Sequence, residues 1–96
     1  MTARSGQITV TTAGTAVQGT SIPGPEFVIT AHPGNTGVVY VGNDGAGDVA
    51  ATNGFPLGSV GATPSEIAVY VRAANLNELW FDAASNGDKV CWLKTK

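Results

Sequence analysis

The side chains in this chain that could do chemistry are few and scattered: one histidine, one cysteine and seven carboxylates among 96 residues. A protein-bound metal needs three or four converging ligands, and His32 sits in a His-Pro-Gly-Asn segment with no cysteine or second histidine nearby. It reads as a turn residue. Cys91 lies between Val90 and Trp92, whereas a nucleophilic thiolate wants an electropositive, accessible setting with a base beside it. In apolar company it reads as a small hydrophobe.

The carboxylates give no stronger signal. Asp44 and Asp48 fall in a glycine-rich stretch, but calcium takes six to eight oxygens and the alternating acids of a calcium loop are missing. Gly42, Gly45 and Gly47 form G-x-x-G-x-G, which is not a phosphate-binding order, and no helix is expected after it to supply an N-terminal dipole. Glu66, Glu78 and Asp82 occupy outward positions of expected strands, where a carboxylate is a solvated surface group; paired acid-base work would need a cleft. No serine stands in a Gly-x-Ser-x-Gly elbow. The expectation is a protein that is not an enzyme and holds no metal or cofactor.

Composition narrows the partners. Charged residues make up 12% of the chain, about half the usual share, and the net charge is −2 with Arg4, Arg72, Lys89, Lys94 and Lys96 dispersed. Nucleic-acid binding requires clustered cations, so none is expected. No apolar run of a secretory leader and no stretch near the ~20 residues of a membrane span occurs. A single cysteine excludes an internal disulfide. The chain reads as one domain, residues 1–96, with a short flexible N-terminus of about residues 1–6.

The elements that must position these side chains are strands. Residues 7–12 (QITVTT) alternate Ile8 and Val10 with polar residues, as a half-buried strand does. Residues 15–22 hold a short second strand weakened by Gly19 and ended by Pro23-Gly24-Pro25. Residues 26–31 form a strand with Phe27 and Ile29 on one face. His32-Pro33-Gly34-Asn35 then predicts a type II turn with positive φ at Gly34, and residues 36–42 are expected to run back as the second arm of a hairpin.

Residues 43–54 form a loop rich in glycine, Phe55-Pro56-Leu57 returns to the core, and residues 58–65 form another connection. Residues 66–73 alternate Ile67, Val69 and Val71 inward with Glu66, Ala68, Tyr70 and Arg72 outward. Asn75-Leu76-Asn77 turns the chain, and residues 78–82 and 89–94 are expected to make a last hairpin about Asn86-Gly87, a source of positive φ. No segment carries a helical period. Strands every 8–15 residues predict an all-β fold, a small antiparallel β-sandwich or barrel with no substantial helix.

If Phe81 faces Cys91 in that last hairpin, Leu79, Phe81, Cys91 and Leu93 share one face and Trp80, Val90 and Trp92 the other. Both faces are then apolar, and Tyr40 and Tyr70 also lie opposite core residues of their strands. One face of each must meet something outside the core, and aromatics concentrate in interface centres. Self-association is therefore expected, unless the chain's own loops cap the Trp80/Trp92 pair.

ITVTTAGTAVQ near the start, then VIT-x-HPGNTGVVYVG, TNGFPL and NLNELWFDAASNGDKVCWL resemble a group of small virion structural proteins of tailed bacteriophages over nearly the whole chain. Gly19 and the glycine-rich residues 45–50 depart from the pattern. The resemblance is to capsid decoration, or cement, proteins: small β-sandwich or jelly-roll-like domains, often trimeric, on the outside of the head. It implies the major capsid protein and further copies of the chain as partners, synthesis in the host cytoplasm and residence on the virion surface. The contact candidates are then Tyr40, Tyr70, Trp80, Val90 and Trp92, with Asn43, Asp44, Asp48 and Asn53 in the first loop. Two other readings stay open: a minor tail, baseplate or head-fibre component, and a small carbohydrate-binding module stacking sugars on Trp80 and Trp92.

Overall fold

The computed structural model describes residues 4–43, 54–57 and 68–96. Among the described residues eight strands follow in order: β1 (Arg4–Thr9), β2 (Val17–Gln18), β3 (Glu26–Ala31), β4 (Val39–Gly42), β5 (Phe55–Pro56), β6 (Val69–Arg72), β7 (Trp80–Ala83) and β8 (Lys89–Lys94). A 3-10 turn at Leu76–Glu78 precedes β7. The strands form two antiparallel four-stranded sheets, ordered β1-β8-β3-β6 and β2-β7-β4-β5. The chain is all-β, as expected.

The numbering of the pairs identifies the topology. β1 lies beside β8, β2 beside β7, β3 beside β6 and β4 beside β5, as if one long hairpin were rolled up, and the contacts β3·β8 and β4·β7 close each sheet. That is the strand order of an eight-stranded jelly-roll sandwich.

Alternation decides which side of each strand faces inward. In β3, Phe27, Ile29 and Ala31 are buried; in β8, Val90 and Trp92; in β4, Val39 and Val41; in β7, Phe81. Ile8, Val10, Ile22, Leu57 and Leu76 complete the layer between the sheets. Trp92 meets Phe27 edge-on, with ring centroids 6.4 Å apart, a favoured geometry for aromatic pairs. The indole spreads under β1 at Gly6, its register partner, where a Cβ would come within 2.8 Å of the ring. Gly19, odd against the family resemblance, has the same kind of reason: a Cβ there would lie 2.4 Å from the Leu76 carbonyl oxygen.

The corners are tied by short polar side chains. Asp88, only 4% exposed, accepts the Thr36 and Gly37 N–H groups at 3.0 and 2.9 Å and the Thr36 hydroxyl at 3.3 Å. Asn35 exchanges hydrogen bonds with the Lys89 backbone at both its amide ends, 2.8 Å each. Asn75 accepts from Ile22 and Asn77. Such side chains satisfy backbone donors that the sheets cannot reach.

Both expected hairpins are overturned. β3 and β4 belong to different sheets, because β6 and β8 already occupy the two edges of β3; residues 32–38 carry the chain across the sandwich, held by Asp88. β7 and β8 separate in the same way, so Phe81 pairs with Val17 and Val41 while Cys91 pairs with Gln7 and Thr30. The turn at residues 32–35 closes through Asn35 N–H to the His32 carbonyl at 3.1 Å, but Gly34 has no positive φ. His32 Nδ1 accepts the Gly34 N–H at 2.9 Å, the side-chain-to-backbone bond that suits a type I rather than a type II turn. The first strand starts at Arg4, not Gln7, so residues 4–6 are paired with β8 rather than loose. Residues 44–53 of the expected loop at 43–54, the expected connection at 58–65, and Glu66 and Ile67 lie outside the described residues.

Two substitutions probe this framework. Asp88→Ala strands three donors and is expected to cost about 3 kcal/mol, whereas Gly6→Ala forces the indole to move and is expected to cost about 1–3 kcal/mol. Urea unfolding midpoints measure both.

Candidate functional site

Among the described residues, most of the chemically capable side chains hold backbone groups in place. His32 is an acceptor in its own turn. Cys91 points to the outer face of the first sheet between Gln7 and Thr30; burial pushes its thiol above the usual value, with the Lys89 ammonium opposing in part. Glu78 accepts the Ala74 N–H at 3.0 Å. Asp82, expected as a solvated surface group, is 5% exposed: the loop after β1 covers it, and its Oδ1 accepts the Gly14 and Ala83 N–H groups at 2.9 and 2.8 Å. Among the described residues no group of three or more His, Cys, Asp or Glu side chains is placed to share a metal ion.

What the fold does present is a surface. With Phe27, Ile29 and Ala31 turned inward, β3 directs Glu26, Val28 and Thr30 outward. Register then fixes their neighbours: Val28 lies between Tyr70 on β6 and Leu93 on β8, and Leu93 lies beside Ser5 on β1. Tyr70, Val28, Leu93 and Ser5 thus cross all four strands in one row, roughly 14 Å long at the ~4.8 Å strand spacing. Tyr70 is 71% exposed and Leu93 44%. Gln7, Cys91 and Thr30 form the next row. Glu26 and Arg72 form an ion pair of 4.0 Å at one end, a solvent-facing contact of little strength, and Lys89 stands at the other.

A second apolar feature opens at the side of the sandwich. Val41, Phe55, Leu79, Val69 and Val71 line an open cleft of about 430 Å³ between β4 and β5 on one sheet and β6 on the other. Phe55, expected to return to the core with Leu57, is 55% exposed, while Leu57 is fully buried.

The contact candidates separate accordingly. Tyr70 is on the exposed row. Tyr40 and Trp80 are half-buried on the second sheet, beside Pro56 and Gly42 respectively. Asn43 is exposed at the end of β4. Val90 and Trp92 are core residues, at 0% and 6% exposure, and are withdrawn as contacts. Trp80 and Trp92 share no face, since β7 and β8 lie in different sheets. Asp44, Asp48 and Asn53 lie outside the described residues. Val28 and Leu93 were missed: β8 reads apolar on both faces, and only its pairing with β1 and β3 shows which side is out.

Comparison of the chain with family models, with curated proteins and with solved structures found no match.

The two aromatic positions are expected to respond in opposite ways. Trp92→Ala should lower stability by about 3–5 kcal/mol, whereas Tyr70→Ala should stay within about 0.5 kcal/mol of the parent; chemical denaturation of each variant checks this. The thiolate is the reactive form of cysteine, so a raised thiol pKa lowers its fraction. Cys91 should therefore alkylate with iodoacetamide more slowly at neutral pH in the folded chain than in the unfolded one.

Proposed function

We propose that the chain is a capsid decoration protein of a tailed bacteriophage, binding the outer surface of the head as a self-associated unit and strengthening the shell. The observation that carries this reading is the outer face of the first sheet. Its row places the exposed Tyr70 and Leu93 on either side of the half-buried Val28, with Glu26, Arg72 and Lys89 toward its ends. Interface centres are depleted in charge and enriched in such residues.

Three further points support it. The residue patterns resemble decoration proteins over most of the chain, and the trimer and the major capsid protein as partner follow from that resemblance. The jelly-roll order is one that viral capsid domains share, although a fold by itself does not assign a function. Among the described residues, His32, Glu78, Asp82 and Asp88 engage backbone donors of turns and corners, which is in keeping with a surface that works by contact. The sugar-stacking alternative loses its basis, because the Trp80/Trp92 platform it needs does not form.

The mechanics follow from geometry. A contact of modest strength per copy, repeated over a shell, resists separation of neighbouring capsomers through avidity. Fully burying a side chain such as Leu contributes about 1.5–3 kcal/mol, so the exposed row matters at each contact. Added to expanded heads that lack it, the purified protein should bind in many copies and raise the temperature at which the heads rupture. The double variant Tyr70→Ser, Leu93→Ser should fold normally and bind at least about tenfold more weakly. Absence of binding to heads, or binding without any gain in rupture temperature, overturns the reading; a few copies per particle would instead favour a tail or head-fibre component.

A further inference from the structure

We propose that the Asn86–Gly87 peptide, at the corner between β7 and β8, is a site of spontaneous deamidation that one backbone hydrogen bond holds in check. The inference is independent of what the protein binds. In the reaction, the Gly87 nitrogen attacks Cγ of Asn86. The new N–Cγ bond closes a succinimide ring, the Cγ–Nδ2 bond breaks, and the side-chain amide leaves as ammonia with the proton given up by the Gly87 nitrogen. Water then adds to one of the two ring carbonyls and opens it to aspartate or isoaspartate. Glycine after the asparagine leaves the nitrogen open to this approach, since no Cβ stands in the way.

The corner holds both reacting groups by name. Asn86 and Gly87 are exposed, so water reaches them. Gly87 has φ +83° and its N–H donates to the Val10 carbonyl at 2.8 Å. That bond retains the proton the nitrogen must lose and ties the nitrogen to Val10. The Ala13 N–H donates to Asn86 Oδ1 at 2.7 Å. A donor on this oxygen stabilises the negative charge that develops when Cγ is attacked, as an oxyanion hole does. The electrophile is therefore prepared and the nucleophile restrained. The restraint governs, because no ring closes until the Gly87 nitrogen leaves Val10, so the reaction runs at the frequency of local opening.

The two products have different consequences. Aspartate preserves the main chain and an oxygen for Ala13. Isoaspartate inserts an extra methylene into the backbone two residues before Asp88, whose carboxylate clamps Thr36 and Gly37 and whose carbonyl accepts from Val10 at 2.9 Å. It therefore pulls on the tie that carries the chain from β3 to β4.

The test compares one chain in two states. The purified protein is incubated at mildly alkaline pH, native and in denaturant, and Asn86 is followed by peptide mapping with mass spectrometry, which resolves it from the other Asn-Gly pair, Asn53–Gly54. Asn86 should deamidate at least about tenfold more slowly in the native chain, the factor that a local opening cost of about 1.4 kcal/mol produces. Asp88→Asn, which weakens the corner, should bring the native rate toward the denatured one, with the denatured rate of that variant as its own reference. The isolated isoaspartate form should melt below the aspartate form. Equal native and denatured rates at Asn86, no reaction there in denaturant, or an unchanged ratio in Asp88→Asn would each overturn the proposal. If Asp88→Asn does not fold, the native-to-denatured ratio of the parent chain decides alone.

Discussion

The structure depends on β8 being threaded between β1 and β3. This places the last strand against the first along six consecutive residue pairs and fixes the inner face of the first sheet in a single register, because a shift of one residue would turn Val90 and Trp92 to solvent. Trp92 is the largest side chain so committed. It needs Gly6 opposite it and Phe27 beside it, so two strands distant in sequence are specified by one indole. The same pairing brings Leu93 and Val28 into line on the opposite side, and the outer row is a by-product of burying the inner one.

Rolling a chain of this length into two sheets leaves corners with unpaired backbone groups, and buried donors must find acceptors. Here the acceptors are short polar side chains at the corners: Asp82, Asp88, Asn35, Asn75 and Asn86. Their use there explains why a chain with so few charged residues still buries two carboxylates nearly completely. Each accepts at least two backbone N–H groups, which offsets the cost of removing it from water. The outer side of the first sheet is left with the apolar row of Tyr70, Val28 and Leu93.

Much of the local structure was legible. Residues 26–31 alternate so cleanly that β3 is the expected strand to the residue, and Val69, Tyr70, Val71 and Arg72 take the expected sides. The tight turns at His32–Asn35 and Asn86–Gly87 occur where proline, glycine and asparagine predict them. Pairing was not legible. The segments on either side of those turns look like hairpin arms, and nothing local distinguishes a turn that folds a strand back on itself from a corner that delivers it to the other sheet. The acceptor that makes residues 32–38 a crossing is Asp88, more than fifty residues away.

The Trp80/Trp92 argument failed for the same reason. KVCWLK is apolar on both faces, so its amphipathic side cannot be read from the strand alone; partners on both edges decide it. By itself the sequence determined an all-β chain, the places of most strands and turns, and the absence of a recognisable catalytic or metal-binding motif, because alternation and turn chemistry act over a few residues. Only the tertiary structure decided the jelly-roll order, the burial of Trp92 and Asp82, and the Tyr70–Val28–Leu93 row. These depend on which distant edges meet, and that is settled by how the whole set of inward side chains packs and by where each corner's donors find their acceptors.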